Sequence, residues 1–381
     1  MCGKRLLRVP GSVLVLAGLF VAGHAAARTI TVGSTGCQYI GFQYPLDDLA
    51  DEAGPHVIKL RTQTIAIPNG LVLDTTNTSY SFIGGHASCA DATPTGSQRT
   101  VLDATGGDEG TAFAINGNGN SSRPAVVLSR LTIRGGSSET GIFSNPEGGG
   151  LEVRGRVIVQ LNDATRVDSN ASGKGGGVYL RGASASGLAT LFIVGGSRIS
   201  NNRAISTGGG VHCEEHGEVL HDNGEISFNS AERGGGAFVR GSCVYDAQVQ
   251  AGSFSGITNN LSSLYGGGLL QEGTGPLSLR GAVDVPFWFI NNIAATDGGA
   301  VFLINSTASR TTALLENGAM LGHRAGGNVG SAILVAGAID ATMRARSGSG
   351  HCALFGVGLG ACLALVDNTL NGAAPLGGVV Q

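Results

Sequence analysis

The chain has 381 residues, a formal net charge of −3 and 65 glycines, about 17% against a usual ~7%. Hydrophobic residues make up 42% and charged residues 13%, which excludes the charge-rich, apolar-poor composition of a disordered chain. The glycines keep no three-residue period, which excludes collagen, and the absence of a lysine–arginine stripe argues against a nucleic-acid partner.

In chain order the first element is a secretory signal. Lys4, Arg5 and Arg8 precede an apolar run from Val13 to Val21, and Ala25, Ala26 and Ala27 supply a small-residue cleavage site. Residues 1–27 are therefore assigned to a signal peptide, with an apolar run too short to remain as a membrane anchor. The stretch from Cys352 to Val366 is short and broken by glycine, so no transmembrane helix is expected in the mature chain. The expected destination is the exterior or the outer membrane and cell surface of a Gram-negative bacterium. Cys2 leaves with the signal. The other six cysteines number evenly, as structural disulfides require, and proximity favours Cys37 with Cys89, Cys213 with Cys243, and Cys352 with Cys362. Six cysteines allow 15 connectivities. None has C-x-x-C spacing, so neither zinc nor thioredoxin-like chemistry is indicated.

Residues 28–381 read as a single domain, with an N-terminal cap over 28–60 and solenoid coils over 61–381. In the cap, Leu46, Leu49, Ala50 and Ala53 fall on one face of a short helix, with Asp47, Asp48, Asp51 and Glu52 opposite. The acidic face reads as a solvated surface. "HVIKL", "TIAI", "LVLD" and "TVLDA" follow as short strands, and Leu128–Gly136 already has the character of the repeats beyond it.

Those repeats decide the fold. A bulky apolar residue precedes an asparagine by three positions in Ile142/Asn145, Val167/Asn170, Ile199/Asn202, Ile226/Asn229, Ile257/Asn260 and Phe289/Asn292. Glycines follow each time, and a degenerate seventh copy reads Gly330-Ser331-Ala332. Successive asparagines stand 25, 32, 27, 31 and 32 residues apart, a fixed unit with loops of variable length. One unit reads "GGGVYLRG", "ATLFIVGG" and "SRISNNRA": three short β-rich runs divided by Gly/Ser turns. A coil of three strands that returns to stack on itself accounts for this period, each strand pairing in parallel with its counterpart ~4.8 Å away. The asparagine then marks a corner, where stacked side chains can form an amide ladder. A small residue follows in Ala204, Ala231 and Ala294, and the glycines allow positive φ before the next strand.

"FINNIAATDGGAVFL", "ISNNRAISTGGGVHC" and "ISFNSAERGGGAFV" resemble the F-x-x-N and G-G-A-I repeats of the polymorphic outer membrane proteins. More broadly they look like the right-handed parallel β-helices of the pectin-lyase-like fold, over about Ile142 to Leu334. The resemblance implies an all-β solenoid with a short capping helix, and little about chemistry, because that fold carries adhesins, lyases and structural spikes alike. Autotransporter members end in an outer-membrane β-barrel, and no alternating barrel strands precede Gln381, so self-translocation is not expected.

Few residues invite a catalytic reading. Polygalacturonase-like members of the fold set paired aspartates beside Gly-His-Gly, whereas Gly85-His86, Gly322-His323 and Gly350-His351 stand apart from any aspartate pair. Asp163, Asp168, Asp222 and Asp246 look scattered, and Lys174 is nearly alone as a base. Cleavage of pectate or polygalacturonate is not expected on this basis. In "VHCEEHGEVLHD" an extended strand would set His212, Glu214 and His216 on its outer face, with Val211 and Cys213 inward. These three are candidate metal ligands, though an ordinary polar face accounts for them as well, and no cofactor is assigned. The function expected is a non-catalytic exported or cell-surface β-helix, adhesin-like or acting at the envelope, with a surface polysaccharide or a host or neighbouring-cell protein as partner. The alternative is a carbohydrate-active enzyme, a lyase or glycoside hydrolase, of the same fold.

Overall fold

A computed structural model describes residues 27–344, omitting 51, 53, 96–97, 108–109, 139–146, 283–284, 308 and 327–331, together with the strands Ala364–Val366 and Thr369–Leu370. Residues 1–26 of the signal segment, Ile142 with Asn145, Gly330-Ser331, Gly350-His351 and the Cys352/Cys362 pair lie outside the described residues.

Among the described residues every named strand pairs in parallel, within four sheets of 11, 8, 9 and 10 strands. The coil therefore has four strands, not three. From Val178–Arg181 in the nine-stranded sheet the chain runs to Ala189–Ile193 in the eleven-stranded sheet and Ser197–Ser200 in the ten-stranded one. Arg203–Thr207 then joins the eight-stranded sheet before Val211–Cys213 stacks on Val178–Arg181. The fourth strand escapes a hydropathy reading for a physical reason. Its members are two to five residues long and polar, such as "RAIST" and "SAER", and bury little more than one small side chain. Ala204 and Ala294 are those buried residues, so the small residue after the asparagine lies on a strand instead of within a bend.

The core is the interior of the solenoid. Val178, Val211, Ala237, Leu269 and Val301 stack in register inside one sheet, and Val159, Leu191, Val219, Tyr245 and Leu277 inside another. At the N-terminal end the helix Gln43–Ala50 forms where the apolar spacing places it, and its Leu49 joins Phe42 and Phe82 in that core.

The asparagine row forms the expected ladder. Asn202 donates from its backbone and its side-chain amide to Asn229 Oδ1, both at 3.0 Å. Asn229 does the same to Asn260, and Asn260 to Asn292. Each amide also donates back to the carbonyl of the apolar residue one coil earlier, as Asn260 does to Ile226 O at 3.0 Å. The left-handed residue of each corner is the one before the ladder member: Ser169, Asn201, Phe228, Asn259 and Asn291 have φ between 51° and 56°. After the corner strand, Gly208 has φ of 66°, and a Cβ on Gly210 would lie 2.6 Å from Gly236 O, so neither position accepts a side chain.

Cys37 bonds to Cys89 and Cys213 to Cys243, as proximity suggests. The second bridge sits in the core and closes a separation of 30 residues between adjacent coils. Replacing both Cys213 and Cys243 by alanine is expected to cost ~2–4 kcal/mol. Thermal melts of the oxidised parent and the variant measure this, and coincident melts would contradict the bridge.

Candidate functional site

The strand Val211–Cys213 ends before Glu214, and this decides the fate of the three candidate ligands. Val211 and Cys213 point inward as expected. His212 points outward yet is only 1% exposed, because Tyr179 and Phe238 of the adjacent coils stack on its two faces with ring centroids 5.4 and 5.0 Å away. His212 Nε2 lies 3.1 Å from Glu214 Oε1, and its Nδ1 lies 2.7 Å from Thr207 Oγ1. His216 does not join them. It occupies a turn with φ of 60°, half-exposed beside Ser242. Among the described residues no group of three or more His, Cys, Asp or Glu is arranged around a common point.

His212 and Glu214 instead anchor an ionic network spread over three coils. Glu214 Oε2 accepts from the Tyr179 hydroxyl at 2.8 Å, and Glu214 Oε1 lies 3.3 Å from Lys174 Nζ. Lys174 also meets Glu147 at 3.5 Å, while Arg154 pairs with both Glu147 and Glu152 and lies over the Tyr179 ring at 5.0 Å. The hydrogen bond from His212, with help from Tyr179 and Lys174, holds the Glu214 carboxyl well below its ordinary range. Burial holds His212 neutral and raises the Tyr179 hydroxyl. A neutral imidazole that donates from Nε2 to the carboxylate accepts at Nδ1 from Thr207. Every member has a hydrogen-bond or ion-pair partner within the network. The network ties coils together. Its glutamates are separated by 62 residues between Glu152 and Glu214, so only the stacking register reveals it.

A different face collects groups that remain open. Asp246 stands in register with Leu220 on the neighbouring coil, which makes it a diagonal neighbour of Asp222. One interstrand step of ~4.8 Å and two residues of rise place their Cα atoms roughly 8 Å apart. Asp246 is also in register with Ser278, and Gln248 with Arg280. Gln250 Nε2 donates to Asp222 Oδ2 at 2.7 Å and Gln248 Nε2 to Asp246 Oδ2 at 3.0 Å. The second oxygens of both aspartates, the Ser278 hydroxyl and the Arg280 Nε are buried with no hydrogen-bond partner. Unsatisfied buried polar atoms cost ~1–3 kcal/mol each, and four on neighbouring positions of one sheet face call for an explanation. Burial raises the Asp222 carboxyl above its ordinary value against the opposing hydrogen bond from Gln250. The two aspartates that look scattered along the chain are thus brought together. The stacking register is the signal that was missing.

Asp168, His323 and His86 are structural. Asp168 accepts from Ser200 at 2.7 Å and Asn201 at 2.8 Å across one interstrand step. His323 continues the asparagine ladder, receiving the Asn292 N–H at Nδ1 over 3.1 Å, with Met320 in the row of Ile257 and Phe289. His86 is buried in the first coils, and burial followed by Lys59 lowers its pKa.

No family model matches this chain and no curated protein matches it. Two solved structures are similar over 84% of this chain and 87% of theirs. They are the pectin methylesterase from Aspergillus niger in its deglycosylated form, at 10% identity and a TM-score of 0.29, and the same enzyme in a penultimately deglycosylated form, at 10% and 0.30. At that identity and score no residue role transfers. Among the described residues no helix is long and apolar enough to cross a membrane.

Proposed function

We propose that the protein is an exported carbohydrate-active β-helix and that the face bearing Asp222 and Asp246 is its reactive surface. The supporting observation is the pairing itself: a carboxyl with raised pKa stands diagonally across from a second carboxyl, with Arg280, Ser278 and two glutamines around them. Asp222, held protonated to higher pH, is the general acid, and Asp246 is the base. Carboxyl groups ~6.5–9.5 Å apart leave room for a water between them and give hydrolysis with inversion, which is the reaction class proposed for this pair. Gln248 and Gln250 are exposed and close over the two carboxyls, so sugar hydroxyls that displace them would meet the unpartnered oxygens. Export rests on the N-terminal signal pattern and on two disulfides, which persist in oxidising compartments.

The non-catalytic, adhesin-like reading keeps one support: the Glu147–Glu214 network fully pairs its own charges and so offers a polar face with no reactive group. Activity separates the two. Purified protein is expected to release reducing ends from at least one member of a panel of neutral and acidic polysaccharides. Asp222→Asn and Asp246→Asn are each expected to lower the rate by 100-fold or more with unchanged melting. No release by the parent from any polymer, or release that survives both substitutions, would leave the binding role in place of catalysis.

A further inference from the structure

The turns between the eleven- and ten-stranded sheets form one row along the solenoid, linked by Ala164 N to Gly195 O and Gly196 N to Asn223 O, both at 2.7 Å. Towards the N-terminal end of that row lies a cavity of about 340 Å³ lined by Arg99, Arg130, Asp163, Ala164 and Gly195. Thr100 N donates to Arg130 O at 3.1 Å, which sets Arg99 and Arg130 beside each other on adjacent coils. Asp163 and Ala164 both have positive φ, and the turn they make presents the Ala164 carbonyl to Arg99 Nε. Two more arginines stand on the strands that leave these turns: Arg166 and Arg198 are in register on neighbouring coils.

Like charges directly opposite on adjacent strands are unfavourable, so four arginines gathered here need counter-charge. The chain supplies little. Glu225 pairs with Arg198 at 3.2 Å, and Asp163 is the single carboxylate among the cavity-lining residues. Among the described residues neither Arg130 nor Arg166 has a carboxylate partner, and Arg166 Nε is buried without a hydrogen bond. Burial, and then Arg166, Arg198 and Arg130, hold the Arg99 guanidinium below its ordinary value.

We propose that this cavity is an oxyanion site that takes a sulfate or carboxylate group carried on a polysaccharide. Guanidinium forks match both groups with paired N–H donors, and the cavity is large enough for the anionic group with part of its sugar. That the anion comes on a polymer rests on the carbohydrate reading above. The same row of turns reaches Asp222 and Asn223 two coils beyond Asp163, roughly 10 Å away at ~4.8 Å per coil. A chain lying along the row would touch both sites.

The test is calorimetric binding of dextran sulfate, polygalacturonate, neutral dextran and inorganic sulfate to the full mature chain. The parent is expected to bind one or both charged polymers, more weakly as salt rises, and to ignore neutral dextran. Arg130→Gln and Arg166→Gln are each expected to weaken that binding tenfold or more, and Arg130→Lys to weaken it less. Charged-polymer binding that is indifferent to these arginines in folded variants would overturn the site. Inorganic sulfate bound as tightly as the polymers would overturn the polymer as its source. Should Arg130→Gln fail to fold, the Arg130→Lys and Arg166→Gln comparisons decide the matter. Binding retained by a protein that cleaves nothing would overturn the acid–base reading alone, and cleavage without anion binding would overturn this site alone.

Discussion

Ile257→Ala is expected to destabilise the protein by ~2–5 kcal/mol, since it empties a fully buried position in the middle of a stacked row. Asn260→Ala is expected to follow at roughly 1–3 kcal/mol for each buried group left without a partner. Two Asn229 donors lose their acceptor, and Asn292 Oδ1 and Ile226 O lose a donor. Asn118→Ala, at an exposed position, should change little. Because solenoid stability is close to a sum of neighbouring terms, the loss should appear first as local opening around the substituted coil. Thermal melts with hydrogen exchange measure both effects, and equal, negligible shifts in all three variants would contradict the ladder.

Acidification is expected to unfold the protein in a window set by its buried histidines. His221 donates from Nε2 to Gly224 O at 2.8 Å and accepts at Nδ1 from the Tyr245 hydroxyl at 2.9 Å, so its neutral form is fully satisfied. Burial brings both His221 and His323 down to about 4. Their folded values lie below the unfolded value of ~6.5, so the unfolded chain takes up protons first as pH falls. Stability is therefore full above ~6.5 and is lost progressively down to about 4, by ~3 kcal/mol for each histidine. Burial lowers His212 and His86 too, which adds in the same direction. Urea melts between pH 7.5 and 4.5 measure the slope. His221→Gln, which cannot titrate, should flatten part of it, and an unaltered slope in that variant would remove His221 from the account.

What could be read from the chain follows from which interactions repeat. The Ile-x-x-Asn corner recurs as a fixed motif at intervals of 25 to 32 residues, so residues such as Ile199 and Asn202 disclose both the parallel stacking and the amide ladder, and cysteine proximity discloses two disulfides. The fourth strand stayed hidden because segments like "SAER" owe their conformation to backbone bonds with the next coil and carry no apolar alternation. The His212–Glu214 pair was visible, but its burial was not, since the covering rings of Tyr179 and Phe238 lie on other coils. Asp222 and Asp246 are 24 residues apart, and only the register that aligns Leu220 with Asp246 makes them neighbours. Sites on a solenoid are written across coils, and variable loops conceal that alignment from a linear reading.

The claim that Asp222 and Asp246 act as an acid and a base is tested most directly by titrating their side-chain carboxyls with ¹³C NMR, alone and with oligosaccharides from the polymer that the protein processes. Asp222 is expected to titrate above the ordinary carboxylate value of ~3.9, Asp246→Asn to shift its midpoint, and added oligosaccharide to move both resonances. Two carboxyls that titrate at the ordinary value, independently of each other and unmoved by any oligosaccharide, would contradict it.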